Sequence, residues 1–376
     1  MCCVKPRSLA KALQPNALRV SQAASVSPAK SYRASLQTLQ TTFQAGFARV
    51  GILSWGIGIG MLLGLPAVAA EPETETVLER ITRTRKLVAG ARANTLPFSD
   101  YADNQWRGYA IDLMQRIQAD LQQTLQVPIE LEIKQVNINE RTAQLSSGNV
   151  DLICDATSFA RGRALEVDFS VGYFQTGTQL LFNTAIETAE QVRSAYADNA
   201  LIIGVMSQTI NQSVIERRLQ IAQFIEFPSR AEGWVALQQG RIDALASDGI
   251  LLAAMRESSP FPEHYTIAPA QPYDQEIYAC MLPQNDPDFQ ALVNESLKKF
   301  MRGVLTCEPT ALQILNTWFG EAGIPIDRRP LWELFQRQTG IIPNGSASSS
   351  SISSTPAQCS EPNSEPDSVN PDSVNP

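Results

Sequence analysis

The sequence predicts an α/β protein of two lobes, and three observations carry that expectation. Its 376 residues suit two hydrophobic cores better than one. Between residues 80 and 340, strand-like and helix-like segments alternate. The alternation comes as two similar series in tandem.

The first series opens with "KLVAGA" (86–91), an apolar strand. "GYAIDLMQRIQADLQQTL" (108–125) follows as an amphipathic helix with Ile111, Met114, Ile117 and Leu121 on one face. "IELEIKQV" reads as a strand, "NERTAQLSSG" as a short helix stopping at Gly148, and "VDLICDA" as a buried strand. The second series is "LIIGV" (201–205), a helix from about Thr209, the strand "QFIEF", the helix "RAEGWVALQQG" ending at Gly240, and "IDALAS". "YDQEIYACMLP" (273–283) and a long helix from Pro287 then read as chain returning to the first lobe. Ligands of open α/β sheets bind beyond the carboxyl ends of strands. Residues 154–163 and 247–249 lie at such ends, one set in each lobe.

Composition narrows the function. Hydrophobic residues make up 44% and charged residues 18%, an ordinary globular balance. Residues 1–70 carry seven Lys/Arg and no acid, so the net −8 of the whole chain leaves −15 for the remainder. So acidic a body, without a basic stripe, is not expected to bind nucleic acid. The basic leader runs into the apolar "VGILSWGIGIGMLLGL" (50–65), short for a membrane span, then "PAVAA" and the acidic "EPETE". This is the pattern of a secretory signal peptide over residues 1–70, cleaved after Ala69 or Ala70. An uncleaved anchor is the alternative. Residues 344–376 are rich in Ser, Pro, Asn and Asp and close on "PDSVNPDSVNP", the composition of a disordered tail. Of six cysteines, Cys154, Cys280 and Cys307 fall in the body, and the sequence allows either buried thiols or a bridge. The single histidine, His264, sits in a polar loop. No Ser/His/Asp triad, histidine-rich metal site or CxxC pair is present, so neither an enzyme, a metal nor a cofactor is expected.

The pieces "LPFSDY", "GYAIDL", "SSGNVDLI", Arg163 before "ALEVDFS", "QQGRIDALASD" and "YACMLPQNDPDFQALVN" occur in one order over roughly residues 84–320. In that order they resemble the family 3 extracellular solute-binding proteins of ABC amino-acid uptake systems. "NER…LSSGNVDLICDATS" and "EIYACML…DPDF" are most similar to the glutamate/aspartate-binding branch. The resemblance implies the type II periplasmic-binding-protein fold, two α/β lobes joined by two crossing hinge strands. Lobe 1 would be 84–176 plus 275–340, and lobe 2 177–274. It also implies a monomer in the periplasm that captures an amino acid and delivers it to an ABC membrane permease.

An amino acid brings a carboxylate and an ammonium, and both need partners when buried. Arginine matches the carboxylate geometry. By the resemblance, Arg163 takes the α-carboxylate, helped by Ser158 and by Thr209 at a helix start. Arg161 is left to solvent. Asp248 takes the ammonium, although capping the following helix is its other possible role. Arg92, Arg141 and Arg230 stand where the acidic branch has contacts to a side-chain carboxylate; solvated helix-end charges are the alternative. Ala160, where relatives carry a hydroxyl, and "SQTINQ", without the usual glycine, depart from the pattern. A glutamine or asparagine binder, a dehydratase of the same fold and an anchored sensor remain as alternatives.

Overall fold

The computed structural model describes residues 75–185, 201–220, 222–320 and 323–341. The expected signal peptide and tail lie outside the described residues. Thr76 opens α1 (Val77–Thr84) with a reciprocal capping box to Glu79. The chain then enters β1 (Lys86–Ala91), whose Leu87, Ala89 and Ala91 are buried. Three short strands, β2 (Asn94–Thr95), β3 (Ser99–Ala102) and β4 (Gln105–Arg107), form a small antiparallel sheet of their own. In α2 (Tyr109–Leu125) the predicted stripe of Ile111, Met114, Ile117 and Leu121 is buried, widened by Tyr109, Ala110 and Leu113. β5 (Glu130–Gln135), α3 (Arg141–Ser146), β6 (Leu152–Ile153) and β7 (Asp168–Thr176) follow.

The second series is β8 (Thr178–Asn183), β9 (Ile202–Met206), α4 (Ile210–Arg218), β10 (Gln223–Phe227), α5 (Arg230–Gln238), β11 (Ala244–Asp248), α6 (Gly249–Ser258) and β12 (Tyr265–Ala268). The chain returns through β13 (Glu276–Leu282) and ends in α7 (Pro287–Leu305), α8 (Pro309–Trp318) and α9 (Arg329–Thr339). Two five-stranded sheets result, ordered β5-β1-β6-β13-β7 and β10-β9-β11-β8-β12. β1 runs parallel to β5 and β6, and β9 parallel to β10 and β11; β13 and β8 enter antiparallel.

The two sheets are the two lobes, and the chain passes between them twice. The first passage is Gly177, between β7 and β8; the second is 269–275, between β12 and β13. They touch. A Cβ on Gly177 would stand 2.1 Å from the Asp274 carbonyl oxygen, so only glycine permits the approach. Thr178 N donates to Asp274 Oδ1 at 2.7 Å, and Tyr273 N to the Thr178 carbonyl at 2.9 Å.

The first lobe is filled by a cluster of Phe98, Tyr109, Phe174, Tyr278 and Phe319, whose ring centroids lie 4.8–6.3 Å apart. A disulfide joins Cys154, just past β6, to Cys280 in β13. The sequence allowed both this bridge and buried thiols. "VDLICDA" is buried as expected, but only Leu152 and Ile153 keep strand pairing. Asp151 accepts a bond from the Val88 backbone N–H, and Cys154 and Asp155 turn to the bridge and to side-chain partners. Among the described residues, no helix is long and apolar enough to cross a membrane.

Candidate functional site

Where the carboxyl-end loops of the two sheets face each other, they enclose about 430 Å³ of space that is open at its rim. Arg92, Arg141, Ser158, Arg163, Thr209, Arg230 and Asp248 all line it. Arg92 follows β1, Arg141 begins α3, and Ser158 and Arg163 lie between β6 and β7. Thr209 caps α4, Arg230 begins α5, and Asp248 ends β11. Arg161, two residues from Arg163, is exposed and does not line the space.

Four arginines in one cavity repel one another, and the fold neutralises one of them. Arg92 forms a buried ion pair with Asp155 and donates to the Ala156 carbonyl at 2.6 Å. Burial opposes its charge, but Asp155 outweighs burial and holds the Arg92 pKa above that of ordinary arginine. Asp155 is itself fixed by Thr95 and Ser99 hydroxyls at 2.9 and 3.2 Å. Among the described residues, Arg141, Arg163 and Arg230 have no carboxylate within ion-pair distance. Arg141 is 9% exposed and donates to Thr157 Oγ1 at 3.1 Å. Burial, with the charges of Arg163 and Arg92, lowers its pKa to about 9. Arg163 donates to the Ser158 carbonyl at 2.9 Å, and burial and Arg92 lower its pKa too. Among the described residues, the buried Arg230 Nε has no hydrogen-bond partner.

The carboxyls show the complementary pattern. Asp248 is 7% exposed and occupies the N-cap position of α6, yet its side chain makes no capping bond. Among the described residues, its Oδ1 has no hydrogen-bond partner. Burial raises its pKa, and Arg230 only partly offsets this. The role of helix cap, open on sequence grounds, is therefore not taken up by the carboxyl. Glu276, at the start of β13, also lines the cavity and is 5% exposed. It accepts bonds from Ser158 Oγ, from Thr178 Oγ1 at 3.3 Å and from Asn211 Nδ2 at 2.9 Å.

Both expected hydroxyls make hydrogen bonds within the protein. Thr209 Oγ1 accepts from the Gln212 N–H at 3.2 Å, which caps the helix, and donates its proton to the Met206 carbonyl at 2.8 Å. Ser158 gives its proton to Glu276. Asp155, Asn211 and Glu276 were not foreseen. The only sequence signal for Asp155 was an acid inside an otherwise apolar buried run. Glu276 gave none, because one glutamate at the polar edge of a strand looks solvated. Among the described residues, no group of three His, Cys, Asp or Glu could hold a metal ion.

The profile of the bacterial extracellular solute-binding proteins, family 3, matches residues 87–321. The chain is 28% identical over 234 residues to the glutamate/aspartate import solute-binding protein of Escherichia coli (strain K12), spanning 61% of this chain and 76% of that protein. It is 26% identical over 235 residues to the ABC transporter glutamine-binding protein GlnH of Bacillus subtilis (strain 168), spanning 61% and 82%. The crystal structure of the ancestral amino acid-binding protein AncCDT-1, a precursor of cyclohexadienyl dehydratase, superposes with a TM-score of 0.54 at 21% identity. That match covers 65% of this chain and 99% of the other, and is a likeness of fold.

Proposed function

Because the chain belongs to the bacterial extracellular solute-binding proteins, family 3, we propose that it holds a free amino acid between its lobes and passes it to an ABC membrane permease. The preferred ligand is acidic, glutamate or aspartate. One observation carries this reading. A single interlobe cavity collects three arginines without carboxylate partners and an aspartate with an open, buried oxygen. Such charges are costly to bury alone and are relieved by a ligand bearing the opposite charges. Arg163 receives the α-carboxylate and Asp248 the ammonium. Arg141 and Arg230 face the side-chain carboxylate. Arg92 acts through its pair with Asp155 and contributes little net charge. A neutral amide would leave the remaining arginines undercompensated, which disfavours glutamine and asparagine.

Lobe 1 is taken as 84–176 with 275–340, and lobe 2 as 177–274. The protein acts as an exported, periplasmic monomer after cleavage near Ala69 or Ala70, and performs no chemistry on its ligand. Thermal denaturation against the twenty amino acids tests the ligand class. Glutamate or aspartate should raise Tm most, by the linkage of a ligand that binds only the folded state. A larger shift with glutamine would decide for the neutral reading.

A further inference from the structure

Glu276 carries a role that the reading above leaves unassigned. Its carboxyl lies on the cavity where the chain returns from one lobe to the other. Three donors fix it from three segments: Ser158 after β6, Thr178 at the start of β8, and Asn211 in α4. Asn211 is oriented in turn by a bond to Thr178 Oγ1 at 3.1 Å. A carboxylate has about four lone-pair sites, so three bonds leave one open. The other buried carboxyl of the cavity, Asp248, also has an open oxygen.

We propose that Glu276 is a second acceptor for the ligand's ammonium, shared with Asp248, and that the ammonium displaces a proton which this carboxyl pair holds in the ligand-free protein. The inference rests on the amino-acid reading. Two buried carboxyls on one cavity cannot both ionise freely, so one keeps its proton until a cation arrives. No covalent bond forms; the Glu276 proton passes to solvent buffer as the ammonium takes its place. The charged and titratable groups facing Glu276 support the direction. Burial pushes its pKa to about 8, and Asp248 from β11 and Asp274 from the interlobe passage push the same way. Arg163 is the cation that faces it, and Tyr278 of β13 is held neutral by burial beside the same two carboxyls, Asp248 and Glu276. The Ser158 and Thr178 bonds only moderate the shift.

Calorimetric titration of the purified protein with L-glutamate at pH 7, in phosphate and in Tris, counts protons exchanged on binding. A group with a pKa of about 8 is mostly protonated at pH 7, so binding should release a clear fraction of one proton per ligand. Affinity should rise by up to about tenfold per pH unit from pH 6 towards 8, then level off. Glu276→Gln keeps a donor and an acceptor at this point, and should bind more weakly, with no proton release and a flat pH profile. Saturable binding without proton release, or equal release in wild type and Glu276→Gln, overturns the inference and leaves amino-acid binding intact. Absence of saturable binding for glutamate, aspartate, glutamine and asparagine would overturn both.

Discussion

On the proposed reading, Arg163 and Asp248, which both line the cavity, are the side chains on which recognition of any amino acid depends, and truncation separates them from their neighbours. Arg163→Ala and Asp248→Ala should each weaken binding by about 2–5 kcal/mol, the cost of stranding a buried ligand charge. Arg161→Ala, on an exposed side chain, should stay within about 0.5 kcal/mol; calorimetry on the three variants checks the order. Arg92 differs. Its guanidinium neutralises Asp155, so Arg92→Gln leaves a buried carboxylate unpaired and should cost about 3–5 kcal/mol of folding stability in urea denaturation. Glu276 sets a pH dependence of its own. Its folded pKa of about 8 lies above the ordinary 4.5. Its contribution to stability is therefore full below about pH 4.5 and lost as pH rises through 8. The ligand-free protein should lose urea resistance over that window, and Glu276→Gln should flatten part of the loss. The cavity-lining residues readable in the sequence were those whose charge stood at a strand or helix end, such as Arg163 and Asp248. Asp155, Asn211 and Glu276 were not readable, because what makes them matter is burial beside partners distant in the chain. Glu276 and Ser158 are 118 positions apart.

Elements with a strong period or a clear punctuation mark were legible. "KLVAGA" and "QFIEF" coincide with β1 and β10, and α2 shows the predicted buried stripe. The small sheet of β2, β3 and β4 was not anticipated, since strands of two to four residues carry no measurable alternation. The Cys154–Cys280 bridge was equally beyond sequence, because pairing depends on β6 and β13 meeting across 126 residues. That bridge fastens the strand end from which Ser158 reaches the cavity and Asp155 reaches Arg92. The double variant Cys154→Ala/Cys280→Ala should lose about 2–5 kcal/mol in denaturant unfolding under non-reducing conditions. A loss below about 0.5 kcal/mol would show that sheet pairing alone holds this edge.

At the scale of the whole molecule, two lobes meet through two short passages that touch at Gly177 and Asp274. Glu276 accepts bonds from both lobes beside that contact. A ligand bound by residues of both lobes stabilises the closed arrangement by its differential affinity for it. Small-angle scattering should show a smaller radius of gyration at saturating glutamate than without it, and an unchanged radius would argue against closure. The central claim is that this cavity is built for an amino acid with an acidic side chain. Its most direct test is calorimetric titration of ligand-free protein, at pH 7 and moderate salt, with glutamate, aspartate, glutamine and asparagine. Glutamate or aspartate should bind tightest, with the amides weaker by about 1–3 kcal/mol, the penalty of buried polar groups left without partners. Tighter binding of glutamine, with Arg141→Gln and Arg230→Gln leaving the order of ligands unchanged, would contradict it.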